Sequence, residues 1–366
     1  LSSKISPIRL IVLTFLGLLG CVLALTAPAS AIPDAYWEQI AAPRPTPMAR
    51  SHTSAAYDPQ RNEVVVFGGF NGARLNDTWI WNGSAWTDVS PPPELSPPAR
   101  FRHSMTFDSL RNVVVLFGGS GNTGRLNDTW EWDGRAWTNR TPESGANPPI
   151  RDSTALAFDS VRNLTVLFGG FKGGTPANLQ DTWEWDGEVW TEIVPPESPS
   201  ARNSMGMTFQ ESEQRVVLFG GFDTERRNDT WTYDGNNWAP LDQSMNIPPV
   251  RNYHTVVFEK SDQQTPSRVL LFGGLNSGSI YLNDTWQLIA DEWSRLSTAN
   301  APLPRCCFGL VFNSLQKQMI LFGGAGGAGK LAALGDLHTF IDPPPLPSPT
   351  LSYSDVDRVG NEIALD

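Results

Sequence analysis

Six short runs of apolar residues recur along the chain, and each ends in Phe-Gly-Gly. They are Val64-Val65-Val66-Phe67, Val114-Val115-Leu116-Phe117, Thr165-Val166-Leu167-Phe168, Val216-Val217-Leu218-Phe219, Val269-Leu270-Leu271-Phe272 and Met319-Ile320-Leu321-Phe322. The steps between the glycine pairs are 50, 51, 51, 53 and 50 residues. Runs this short, rich in β-branched and aromatic residues and bounded by turn residues, predict strands rather than helices. A period near fifty residues is that of a propeller or solenoid. Around each run the pattern predicts three further strands. The first follows a recurring Arg, as in His103-Ser104-Met105-Thr106-Phe107, and turns at Asp58, Asp108 or Asp159. The third carries Asp-Thr-Trp, at 77–79, 128–130, 181–183, 229–231 and 284–286. A hairpin at Asn82-Gly83, Asp133-Gly134, Asp186-Gly187 or Asp234-Gly235, where positive φ is expected, leads to the fourth. That strand holds Trp86, Trp137, Trp190, Trp238 or Trp293. Glycine is expected where bulky indoles press on the end of the second strand.

Unit six lacks its last Trp: Asp336-Leu337-His338-Thr339-Phe340 runs into a proline tract, with His338 expected in the vacated Trp slot. Ala35-Tyr36-Trp37-Glu38-Gln39-Ile40 matches the missing strand in its spacing to the next Arg. Residues 35–41 are therefore expected to complete unit six and remove the exposed edges of an open array. The glycine pairs, spaced tryptophans and period resemble the kelch-repeat family, whose members include the central domain of galactose oxidase. The resemblance covers residues 35–341. It implies an all-β, six-bladed propeller of four-stranded antiparallel blades, of a bacterial exported type.

Two phosphate-binding motifs are decoys. Gly119-Ser120-Gly121-Asn122-Thr123-Gly124 spells a dinucleotide fingerprint but precedes a strand. Gly324–Lys330 mimics a phosphate loop but continues into Leu331.

The 366 residues carry 27 Lys and Arg against 38 Asp and Glu. That acidic balance argues against nucleic acid as a partner. Lys4 and Arg9, the apolar run from Leu10 to Leu25 and Ala29-Ser30-Ala31 read as a signal peptide over residues 1–31. An extracellular, periplasmic or cell-surface location is expected, with membrane contact only if that segment stays uncleaved. Beyond Cys21 only Cys306 and Cys307 remain. Two buried thiols are expected, with a vicinal disulfide as the alternative. Residues 342–366 read as a Pro-rich linker and disordered tail.

Function is sought where the units differ. Arg50, Arg100, Arg151, Arg202, Arg251 and Arg305 open the first strand of every unit. They are expected to rim one mouth of the central channel, either as an anion site or as ties between carboxylates and carbonyls. The positions after them vary and bring Arg102, His103, Asn203, Tyr253 and His254 to the same face. His52, His103, His254, Cys306 and Cys307 form a conceivable metal set, although their spacing is not a metal motif. No cofactor is implied. The leading expectation is a non-catalytic exported module that binds a protein, peptide or glycan through this face. The alternatives are a carbohydrate-active enzyme, of the sugar-oxidase or sialic-acid-epimerase types that the resemblance brings in, and a structural surface module.

Overall fold

The computed structural model describes residues 35–242, 246–262, 265–326 and 332–342. The expected leader 1–31, residues Gln263 and Gln264, most of the glycine loop ending at Lys330 and the tail beyond Asp342 lie outside the described residues. Two single-turn 3-10 helices, Pro93–Leu95 and Glu211–Glu213, are the only helices among the described residues; the remaining regular structure is β-strand.

In unit one the four strands are Ser54–Asp58, Glu63–Phe70, Arg74–Trp81 and Trp86–Asp88. They pair antiparallel in sequence order, with Tyr57 opposite Val64, Val66 opposite Trp79 and Trp81 opposite Trp86. Units three, four and five form separate four-stranded sheets of the same order, while the two-residue strand Arg100–Phe101 joins units one and two. Strand therefore follows strand across Gly119–Gly124, with no helix N-terminus to hold a phosphate. In unit six, Gly309–Asn313, Gln318–Phe322 and Leu337–Ile341 take Ala35–Ile40 as their fourth strand, with Trp37 opposite Phe340. Thr298–Ala299 runs parallel to the outer side of that N-terminal strand.

Turn chemistry holds the hairpins. The Asp58 carboxylate accepts the backbone N–H groups of Gln60 and Arg61, and Asn82 Oδ1 accepts those of Ser84 and Ala85. In the hairpins of the Asn82-Gly83 type only the glycine takes positive φ, as at Gly83 (91°) and Gly134 (92°). The residue before it acts as a side-chain cap, not as the second left-handed position expected from sequence.

The core lies between units. One apolar cluster joins Val65 and Phe67 of unit one to Met105, Val114 and Trp137 of unit two. Another joins Val64, Trp81 and Trp86 of unit one to Ile320, Phe322 and Leu337 of unit six. Indoles also carry polar links across the gaps. The Nε1–H groups of Trp137, Trp190, Trp238 and Trp293 donate to Thr78, Thr129, Thr182 and Thr230, each in the preceding unit, at 2.9–3.0 Å. Trp37 follows the same rule and donates to Thr285 at 3.3 Å.

The glycine pairs serve a different neighbour from the one expected. A Cβ on Gly68 (φ 56°) would stand 2.8 Å from the carbonyl oxygen of Arg100 in the next unit, not against an indole. Gly323 of unit six meets the Arg50 carbonyl of unit one at the same 2.8 Å. The ladder also shifts register at the pair, between Phe67 and Gly69, so a bulge opens where the next chain enters.

Trp37 is 1 % exposed and packs on Phe272 and Phe340. Trp37→Ala is expected to cost about 3–5 kcal/mol of unfolding free energy, and Thr285→Val about 1–3 kcal/mol because it orphans the indole N–H. Urea unfolding of both variants checks this order.

Candidate functional site

The recurring arginines are buried. Arg50, Arg100, Arg151, Arg202, Arg251 and Arg305 are each 0–1 % exposed. Arg50 makes a fork with Asp77 of the Asp-Thr-Trp motif, at 2.6 and 2.7 Å. It also donates to the carbonyls of Gly68 and Met48, both at 3.0 Å. Arg100 with Asp128, Arg151 with Asp181, Arg202 with Asp229, Arg251 with Asp284 and Arg305 with Asp336 repeat the fork. Each guanidinium thereby ties the entry of the first strand to the glycine bend and the third strand of its own unit. Of the two readings open for these arginines, the contacts are those of ties to carboxylates and carbonyls and not of an anion rim: the cations are answered in place and none reaches solvent. Burial pushes the Asp336 carboxyl up, but hydrogen bonds from Arg305 and His338 outweigh it and hold it far below the usual carboxylate range. His338 Nε2 lies 2.8 Å from Asp336 Oδ2, where Trp79 Nε1 meets Asp77 Oδ2 at the same distance, so His338 does occupy the Trp slot.

Two residues beyond each arginine stands a left-handed residue: His52, Arg102, Ser153, Ser204, Tyr253 and Cys307, with φ between 51° and 63°. Their peptides bond to one another. Arg102 N–H donates to the His52 carbonyl at 3.0 Å; Ser153 to Arg102, Ser204 to Ser153 and Tyr253 to Ser204 at 2.8 Å. Cys307 donates to Tyr253 at 3.2 Å, and His52 returns the series to Cys307 at 2.7 Å. Non-glycine residues in this backbone region cost energy. Here all six accept it, because the bend lets each N–H reach the neighbouring unit's carbonyl. The backbone is thus uniform around this mouth while its side chains differ. Behind it runs a cavity of about 500 Å³, lined by the first strands of all six units.

The larger side chains gather on one side of the mouth. The His52 ring meets Phe101 and Tyr253 edge-on, at 5.7 and 5.5 Å. The Arg102 guanidinium carbon lies 5.2 Å from the Phe101 centroid and 5.7 Å from that of Tyr253. Arg74, at the start of the third strand of unit one, stands 5.2 Å from the same Phe101 ring, and Phe70 packs on it at 5.4 Å. All six of these residues are half-buried. Burial, helped by the Arg102 charge, lowers the His52 pKa to about 3, so the imidazole is neutral.

The remaining candidates are inside. His103 and His254, both 5 % exposed, fill the spaces between units against Phe67 and Phe219. Asn203 is 8 % exposed, donates to Asn178 Oδ1 at 2.7 Å and accepts from Ser204. The two histidines act as wedges between units and Asn203 as a link. Cys306 and Cys307 are joined as a vicinal disulfide, where sequence favoured two thiols. Among the described residues no three His, Cys, Asp or Glu side chains gather as a metal set. Sequence reasoning passed over Arg74. Its signal lay in the residue opposite: the matching Arg125 of unit two faces Asp152 at 2.7 Å, but Arg74 faces Phe101.

A family model described as the KLHDC2/KLHL20/DRC7 Kelch-repeats domain matches residues 31–221 and 213–341. An F-box/kelch-repeat protein of Arabidopsis thaliana is 30 % identical over 210 residues, covering 50 % of this chain and 41 % of the relative. Kelch domain-containing protein 2 of Bos taurus is 30 % identical over 140 residues, covering 36 % and 31 %. A host cell factor homologue of Caenorhabditis elegans is 40 % identical over 57 residues, covering 14 % and 7 %. The chain spans less than half the length of each of these relatives.

Burial, aided by Arg100 and Arg251, lowers the pKa of His103 and His254 from 6.5 to about 3, against opposing backbone contacts at Phe67 and Phe219. Between pH 6.5 and about 3 the unfolded chain binds more protons at these sites than the folded one, so stability falls as pH is lowered through that window. Replacing both by Thr, the residue at the matching positions Thr53 and Thr154, is expected to flatten the loss. Urea midpoints at several pH values across the window, for parent and variant, measure it.

Proposed function

Because the chain belongs to the kelch-repeat family, we propose that residues 35–341 form a six-bladed propeller, closed by the N-terminal strand, that binds a partner protein through the mouth built on His52, Phe101, Arg102 and Tyr253. Two observations support the closed ring: the backbone hydrogen bond from the His52 N–H back to the Cys307 carbonyl, and the Trp37 link to Thr285. The observation that carries the functional reading is the mouth itself. One backbone bend is repeated six times, yet it carries six different settings and five residue types, with aromatic rings and cations drawn to one side. A scaffold with no binding task has no use for half-buried aromatics there. Kelch domains are typically protein-interaction modules, which favours a protein segment over a glycan as the ligand. We further propose that residues 1–31 direct export, which N-terminal sequencing of secreted material tests.

Peptide and glycan arrays probed with the full chain test the face. Phe101→Ser with Tyr253→Ser is expected to abolish peptide capture while keeping the thermal midpoint within a few degrees. Capture that survives both substitutions in a folded protein, or capture of glycans alone, would refute the assignment.

A further inference from the structure

The mouth holds an electrostatic irregularity. At three of the junctions where the third strand of one unit meets the next unit's mouth segment, polar partners answer one another. Arg125 pairs with Asp152 at 2.7 Å, Asn178 accepts from Asn203 at 2.7 Å, and Arg226 Nε donates to Asn252 Oδ1 at 2.8 Å. Between units one and two an arginine stands there without such a partner. Phe101 stands at the position of Asp152, so Arg74 has an aromatic ring where its counterpart has a carboxylate. Arg102 then sets a second guanidinium on that ring. Among the described residues neither arginine has an ion-pair partner, and both Nε atoms are buried without an acceptor.

A half-buried guanidinium with an unmet N–H is costly, and two on one ring also repel each other. An aromatic face stabilises a cation but supplies no acceptor for its N–H groups. What the pair lacks is oxygen lone pairs. The buried forks of this protein show how far a carboxylate goes: Asp77, Asp128 and Asp181 each give both oxygens to a single arginine. Two guanidiniums call for more oxygens than one carboxylate has, and a phosphoryl or sulfuryl ester group offers three.

Resting on the binding face argued above, we propose that Arg74 and Arg102, set on Phe101, form a subsite for a tetrahedral oxyanion carried by the bound protein segment. Phosphate and sulfate esters share this chemistry.

The test uses inorganic phosphate, sulfate and acetate at equal ionic strength on the full chain. It reads the thermal midpoint and the Nε–H resonances of the arginines. Phosphate or sulfate is expected to raise the midpoint and shift two arginine Nε–H signals, with acetate weaker; the stronger of the two identifies the ester. In Arg74→Gln with Arg102→Gln the apparent affinity should fall roughly tenfold or more. An unchanged phosphate effect in that variant, or acetate matching phosphate, would overturn the subsite. Array capture that still requires Phe101 and Tyr253 would then leave the binding face standing without it.

Discussion

The fold turns on one buried ion pair made six times. Each arginine before the first strand gives a fork to the carboxylate of Asp-Thr-Trp and a further bond to the first glycine's carbonyl, as Arg50 does with Asp77 and Gly68. The guanidinium is out of water, whereas Asp77 keeps 23 % of its side chain exposed, so desolvation falls chiefly on the cation. Removing either member would strand a charge or a set of N–H groups in the interior. The pair fixes where the chain enters a unit. That entry point sets the bulge at the glycines, which receive the next arginine's carbonyl, and places the left-handed residue whose peptide bonds to its neighbour. The local interaction and the contacts between units are therefore one construction.

This arrangement separates what must be constant from what can vary. The arginine, aspartate, glycine pair and indoles spend their polar groups inside the structure. The residue two places on contributes its backbone to the scaffold, whatever its side chain. His52, Arg102, Ser153, Ser204, Tyr253 and Cys307 occupy equivalent positions with little in common chemically. A binding surface can be rewritten there without disturbing the sheets below.

Much of the unit was legible in the sequence, because strand runs, turn residues and Trp spacing are local signals. The pairing of Ala35–Ile40 with Leu337–Ile341 was legible from the gap in unit six and the spacing around Trp37. The fate of the arginines was not. Their carboxylates lie 27–33 residues away, and a recurring Arg alone does not say whether its partner is a ligand or an aspartate. The joint recurrence of Arg and Asp was the available clue. The glycines were misattributed for a related reason: the atom they accommodate is a backbone carbonyl of the next unit, and backbone carries no sequence mark. At the mouth, Tyr253 and Arg102 were visible as variable residues. Arg74 was hidden because only its position opposite Phe101 sets it apart.

A double-mutant cycle on Arg151 and Asp181, read by denaturant unfolding, tests the central pair most directly. A buried, mutually dependent fork predicts that the double variant loses far less stability than the two single variants together, with a coupling of about 2–3 kcal/mol. Effects that add to within about 0.5 kcal/mol would mean that the two side chains act independently, and the arginine would have to be returned to the surface as a candidate for ligand binding.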